Sequence, residues 1–216
     1  MEARCLICGG QKTVFFKKFG TWTLFRCSSD GFIFVHPLPS DGELEDFYNS
    51  GEYFNSGAEN RKFGYKNYLS EKRIAEINDQ NILSRMKRWL PAMAVPGGVS
   101  GKKLLDIGAA YGFFMESAGK AGFAAFGNDF YEEAVEHAKG RNLNISLGST
   151  GKQNYPSNHF DVVTILGVIE HFKDPVGEIA ETLRILKPGG LLVIQTMSTA
   201  NFVGRGAFKP PEHLVY

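Results

Sequence analysis

Two sets of residues have the types and spacing to do chemistry. The first is Asp106, Gly108, Gly112, Asp129 and His171; the second is Cys5, Cys8, Cys27 and Asp30. An apolar run, Lys103-Leu104-Leu105, ends in Asp106. A turn from Gly108 to Gly112 follows, and then a stretch rich in Phe, Met and Ala. That order reads as strand, tight turn and helix start, the usual ligand cradle of an open α/β sheet. Gly108 and Gly112 let the backbone approach a ligand where any Cβ would collide. Asp129, seventeen residues after Gly112, ends the next apolar run. There a carboxylate either accepts hydrogen bonds from the two hydroxyls of a ribose or serves as an acid at a helix N-terminus ahead of Tyr131-Glu132-Glu133. His171 follows a later strand, at the edge where such sheets bind ligands. An imidazole titrating near ~6.5 suits proton abstraction from a hydroxyl or an acidic carbon; the bland alternative is a loop histidine that caps backbone carbonyls.

The spacing narrows the ligand. A dinucleotide fingerprint needs G-x-G-x-x-G. Counted from Gly108, the second glycine position holds Ala110 and the last holds Phe113, so the fingerprint fails. No G-x-x-x-x-G-K-[ST] phosphate loop occurs either.

Around these residues, strands are expected at 103–107, 124–128, 145–148, 160–166 and 190–196, and helices at 113–121, 131–139 and 175–186. The last helix has Asp174 as N-cap and Pro175 at its first position, and Lys187-Pro188-Gly189-Gly190 should stop it. Alternation of this kind implies a parallel sheet with crossover helices. Upstream, residues 1–40 hold all three cysteines and short strand-like segments such as Gly31–Val35. Helical periodicity runs from about Arg61 to Leu90 through Tyr65, Tyr68, Leu69, Ile74, Ile77, Leu83 and Met86. A linker follows at Pro91, Pro96, Gly97 and Gly98. Three units are therefore expected: a small module over 1–40, a helical lid and linker over 41–98, and a ligand-binding domain over 99–216.

Composition excludes several classes. With 216 residues and a net charge of +1, the chain suits one domain plus an appendage, with no basic stripe for nucleic acid. No apolar run reaches the ~18 residues of a membrane span. The N-terminus lacks the apolar core of a signal peptide, so the expected location is the cytoplasm. Three cysteines with Cys5-x-x-Cys8 argue against a disulfide framework and for metal or free thiols.

The pattern D-x-G-x-x-x-G resembles motif I of the class I S-adenosylmethionine (SAM) methyltransferases, with Ala110 in place of their middle glycine. Phe160-Asp161-Val162-Val163, Ile169-Glu170-His171, Asp174-Pro175 and Leu186-Lys187-Pro188-Gly189-Gly190 resemble a second signature of that family. Together the resemblance spans residues 103–196. It implies a Rossmann-like SAM-binding sheet and methyl transfer to a small molecule: C-methylation of a sugar nucleotide or O-methylation of a metabolite hydroxyl. The rival from another class is a non-catalytic SAM-binding module for regulation or assembly. The cofactor-side set implied is Tyr68, Asp106, Gly108, Ala110, Tyr111, Gly112, Asp129, Phe130 and Leu166, with Ser149-Thr150 flanking the base. Tyr65 and Tyr68 either close over the sulfonium or pack between modules. His171 and His213, the latter in Glu212-His213-Leu214, are the catalytic candidates on the acceptor side.

Cys5-x-x-Cys8-Gly9 and Cys27-x-x-Asp30-Gly31 resemble paired zinc knuckles. The likeness is to methyltransferases of the type 11/23 families with an N-terminal zinc module, sugar C-methyltransferases among them. The usual fourth cysteine is Asp30, a ligand zinc accepts at roughly 2.0–2.2 Å, and His36 is the backup. The family's sheet continues with a helix and a closing strand pair. Only twenty residues follow Thr196, so the strand ending there is expected at a sheet edge and the domain is expected to be C-terminally incomplete.

Overall fold

The computed structural model describes residues 3–50, 52–55, 65, 67–90, 98–197, 210 and 212–216. Arg61, Pro91, Pro96 and Gly97, on which the helix start and linker were placed, lie outside them, as does Pro211.

Two sheets organise the chain. The small one is antiparallel, with β1 (Thr13–Phe19), β2 (Trp22–Cys27) and β3 (Ile33–Val35) in that order. The large one is parallel and five-stranded. Its strands are β4 (Lys103–Ile107), β5 (Ala124–Asp129), β6 (Asn144–Leu147), β7 (Phe160–Leu166) and β8 (Leu186–Gln195), in spatial order β6-β5-β4-β7-β8. The central strands β4 and β7 are covered on both faces: Leu104, Leu105, Val162, Val163 and Ile165 are at most 0% exposed. This explains their continuous apolar sequence. Helices α4 (Phe113–Lys120), α5 (Glu132–Lys139) and α6 (Pro175–Ile185) make the crossovers. The strand order reverses between β4 and β7, and ligands of such sheets bind outside the carboxyl ends at that switch point.

Ahead of the sheet, α1 (Asp41–Asn49) begins with a capping box. Ser40 accepts from the Glu43 amide while the Glu43 carboxylate accepts from the Ser40 amide. The short α2 (Glu52–Asn55) and the long α3 (Lys72–Trp89) follow. The helical stripe expected from Arg61 holds in part. Leu83 and Met86 are buried against Phe114, Ala118 and Val99, whereas Ile74 and Ile77 are 60% and 58% exposed. The inward position between Ile77 and Leu83 is Asp79, which is buried and accepts from Ser117 Oγ on α4 at 2.7 Å.

The Lys187–Gly190 segment differs from expectation. α6 ends at Ile185 and β8 starts at once. Phe160 pairs with Leu186 but Val162 pairs with Leu191, so Lys-Pro-Gly-Gly is a bulge within the strand. Gly189 there has φ +75°.

β8 is the edge of the large sheet, and among the described residues no strand pairs with its free side. The last residues join the other sheet. Phe34 and Val215 form an antiparallel bridge, the Val35 amide donates to the Leu214 carbonyl, and Ile33 and Tyr216 exchange two hydrogen bonds. Residues 214–216 of the 99–216 unit expected from sequence thus hydrogen-bond to β3 of the 1–40 module through an isolated bridge. No helix among the described residues is long and apolar enough to cross a membrane.

Candidate functional site

The turn between β4 and α4 is shaped by left-handed backbone at Gly108 (φ +71°), Ala110 (φ +46°) and Gly112 (φ +76°). At Gly108 an added Cβ would sit 2.5 and 2.8 Å from the two γ carbons of Val168 in the loop after β7. Only glycine fits there. The missing middle glycine is now placed: Ala110 holds a conformation that glycine would adopt without strain.

A cavity of about 300 Å³ opens at the carboxyl ends of β4 and β7. Its floor is Asp106, Gly108 and Ala109. Leu166, Gly167 and Glu170 form one wall and Gln195–Met197 extend it. Tyr65, Tyr68, Glu71, Asn78 and Asp79 cover it from the α3 side. Four carboxylates line the cavity, and no Lys, Arg or His occurs among its described lining residues. Asp106 is buried and accepts from Thr164 Oγ1 at 2.6 Å; burial still pushes its carboxyl up to about 7. Burial also raises Asp79, against the hydrogen bond from Ser117, and Glu170.

Of the expected cofactor residues, Tyr68, Asp106, Gly108 and Leu166 line this cavity. Asp129 lies beside it, holding the turn. Its Oδ2 accepts from the Ala110 amide at 2.7 Å and its Oδ1 from the Tyr131 amide at 2.9 Å. The Phe130 amide also holds this carboxylate. Ala110 and Gly112 belong to the turn itself. Tyr111 is fully buried with its hydroxyl on Glu133, and Phe130 is 56% exposed. Thr150 Oγ1, in the loop expected to flank a base, is buried with no hydrogen-bond partner among the described residues.

An aromatic cluster closes the site from above. Phe54 stacks on Tyr131 at 4.5 Å and Tyr68 on Phe113 at 5.5 Å, with Tyr53, Tyr65 and Tyr111 between them. These contacts are the packing expected of Tyr65 and Tyr68, and Tyr68 also reaches the cavity.

Beside Glu170 the two histidine candidates meet: a carboxylate oxygen of Glu170 and a ring nitrogen of each histidine lie within 4.8 Å of one another, and neither histidine is among the described residues that line the cavity. The rings of His171 and His213 lie 5.0 Å apart, edge to face. His171 Nδ1 is 2.7 Å from the Tyr48 hydroxyl of α1. His213 Nε2 is 3.6 Å from Glu212 Oε1, and both residues are buried. Burial raises the Tyr48 phenol, which therefore keeps its proton. Tyr48, Asp79 and Glu212 were not singled out from sequence.

In the small sheet the thiols of Cys5, Cys8 and Cys27 and a carboxylate oxygen of Asp30 all lie within 4.8 Å of one another. Cys5 Sγ is 3.3 Å from Asp30 Oδ2, and Cys8 Sγ is 3.6 Å from Cys27 Sγ. Tetrahedral zinc with Zn–S of about 2.3 Å needs ligand edges of roughly 3.8 Å, so the donor set fits the ion. Amides of Ile7 and Ser29 point at the Cys5 and Cys27 sulfurs, each at 3.4 Å. The backup ligand His36 packs on Phe25 instead.

The family profile described as methyltransferase domain matches residues 75–209. The ubiquinone biosynthesis O-methyltransferase of Thiobacillus denitrificans is 31% identical over 136 residues, 59% of this chain and 54% of that protein. That of Haemophilus ducreyi is 34% identical over 112 residues, 47% of this chain and 48% of that protein. The chain spans about half the length of the curated relatives it matches. Among solved structures, an S-adenosylmethionine-dependent methyltransferase of Mesorhizobium loti is similar over 50% of this chain and 51% of its own, at 24% identity and a TM-score of 0.43.

Proposed function

The chain belongs to the methyltransferase-domain family, within the class I SAM-dependent methyltransferases, and on that premise we propose that it transfers a methyl group from SAM to a small molecule. The observation that carries this reading is the acid-lined cavity at the switch point. SAM brings a sulfonium and an ammonium cation. Glu71 offers complementary charge there, and Asp106, Asp79 and Glu170, whose carboxyls burial raises, offer it once a cation beside them favours ionisation, with Tyr65 and Tyr68 as aromatic faces. Asp129, beside the turn, is assigned to the ribose.

When bound, SAM supplies the methyl: the acceptor's lone pair bonds to the methyl carbon as the C–S bond breaks and its pair returns to sulfur. The protein aligns the two partners and excludes water. The aromatic cluster over the site serves the second task. His171 takes the acceptor proton on Nε2. For that, its Nδ1–H is donated to the Tyr48 oxygen, and the phenolic proton faces the Glu212 carbonyl at 3.5 Å. His213, in ring contact with His171, completes the acceptor side.

The curated relatives are named for O-methylation in ubiquinone biosynthesis, which favours a small hydroxylated acceptor. The buried Glu212-His213 pair and the cysteine module support a second acceptor class, the acidic carbon of a deoxysugar nucleotide. Zinc held by Cys5, Cys8, Cys27 and Asp30 is assigned a structural role, since all four positions of a tetrahedron are filled by protein. The domain limits 1–40, 41–98 and 99–216 remain the working division.

Incubation with methyl-labelled SAM and, separately, a catechol-type phenol and a deoxysugar nucleotide tests the reading. Label should enter one product on oxygen or carbon, and His171→Ala should slow transfer by ~10²–10⁴-fold, the range of general-base catalysis. SAM binding with no transfer to either class would favour the non-catalytic binding module.

A further inference from the structure

The extended segment 214–216, bridged to β3 at Val215, joins features that are far apart in sequence. On one side, Leu214 and Val215 amides both donate to the Glu170 carbonyl, at 2.8 and 3.2 Å. On the other, the Leu214 carbonyl accepts from Val35 at 2.9 Å and Tyr216 pairs with Ile33. The Leu214 side chain is fully buried, in a cluster with Cys5, Cys27, Phe34 and Val215. His213 is the next residue back; its carbonyl accepts from the Tyr216 hydroxyl at 2.9 Å and its ring lies against His171.

We propose that the N-terminal cysteine module sets the position of the acceptor-side histidine, with Leu214 as the positioning residue. The inference rests on the reading that His213 faces the acceptor. Its physical basis is leverage. One residue carries a side chain anchored among the metal-ligating cysteines, a carbonyl on β3 and an amide on the loop that bears Glu170 and His171. Ordering the cysteine quartet, by zinc above all, packs the surface on which Leu214 sits, and so fixes the backbone from which His213 projects. Loosening the quartet frees that backbone without touching Asp106, Gly108 or the turn, which hang from β4. The module is thereby a part of the acceptor site and not an independent appendage.

The test uses the full chain with labelled histidine rings, read by NMR, together with amide exchange and SAM titration. In Leu214→Ala the His213 ring resonance should move toward that of an exposed histidine. Exchange at the Val215 amide should rise at least tenfold, and SAM affinity should stay within twofold. His159, at the opposite end of the sheet beside Lys103, is the internal reference and should not move. Cys5→Ser, which leaves the 214–216 segment chemically intact, should shift the same His213 signal. Chelating zinc from the wild-type chain and restoring it should move the signal out and back. An unmoved His213 resonance in Cys5→Ser and through the zinc cycle overturns the proposal, as does a shift of His159 or a SAM affinity that falls in step. Full methyl transfer by His213→Ala would remove His213 from catalysis while leaving this coupling to be judged on the NMR result alone.

Discussion

Gly108→Ala is the substitution that most sharply tests the geometry of the turn. Gly108 has φ +71°. Placing an L residue there costs about 1–2 kcal/mol. The new Cβ would stand 2.5 Å from Val168 Cγ2, 2.8 Å from Cγ1 and 3.1 Å from Cβ. Ordinary carbon contacts begin near ~3.5 Å, so this is overpacking and costs a further ~1–3 kcal/mol. The reduced freedom of the unfolded chain returns about 0.4–1 kcal/mol. The net loss should be about 1–4.5 kcal/mol, a large part of the ~5–15 kcal/mol of a typical domain. Urea unfolding followed by circular dichroism measures it. Val168→Ala removes the two γ carbons, so the double variant should recover about 1–3 kcal/mol relative to additivity. A Gly108→Ala chain within about 0.5 kcal/mol of wild type, or a double-variant cycle with no coupling, would refute this account of why glycine stands at 108.

Three further outcomes are expected. Asp106 has its carboxyl raised to about 7 by burial, so between its ordinary value and about 7 the folded chain holds a proton that the unfolded chain has lost, and this group's contribution falls as pH rises through that window; Asp106→Asn should therefore gain urea stability relative to wild type from about pH 4 to 7, and a constant difference would contradict the burial argument. Asp30→Cys should tighten zinc by about tenfold or more in competition with a chelator, because thiolate is the softer ligand; wild-type protein whose module is folded and whose elemental analysis finds no zinc would count against the assignment. Tyr48→Phe removes the 2.7 Å hydrogen bond to His171 Nδ1 and should cost about 0.5–1.5 kcal/mol in urea unfolding, the net worth of an ordinary hydrogen bond; no loss would mean that Tyr48 does not fix the histidine.

The sheet was legible because its signal is local. Lys103–Ile107 and Phe160–Leu166 are apolar runs bounded by turn residues, and both strands start and end where the sequence places them. The turn was legible for the same reason: Gly108 and Gly112 stand where backbone crowding and positive φ demand them. What escaped is long-range. Asp79 occupies an inward position of α3 because the Ser117 hydroxyl, 38 residues away, donates a hydrogen bond to it there; periodicity assigned that face to Ile74 and Ile77. Tyr48 meets His171 across 123 residues. The Leu214–Tyr216 segment, bridged to β3 at Val215, is too short to show alternation, and only β3 reveals the pairing. Lys187–Gly190 carried a helix-stop signal that was correct at Ile185, but the same residues also form the bulge by which β8 enters the sheet.

The central claim is that the cavity over β4 and β7 binds SAM with Asp129 on the ribose. Isothermal titration of wild-type protein and Asp129→Ala with SAM and with its demethylated product tests it most directly. One molecule of each should bind per wild-type chain, and Asp129→Ala should bind more weakly by about 1–3 kcal/mol, the scale of a charge-assisted hydrogen bond lost at a buried site. No binding of either compound to folded wild-type protein would contradict the SAM site, and an unchanged affinity in Asp129→Ala would remove Asp129 from it.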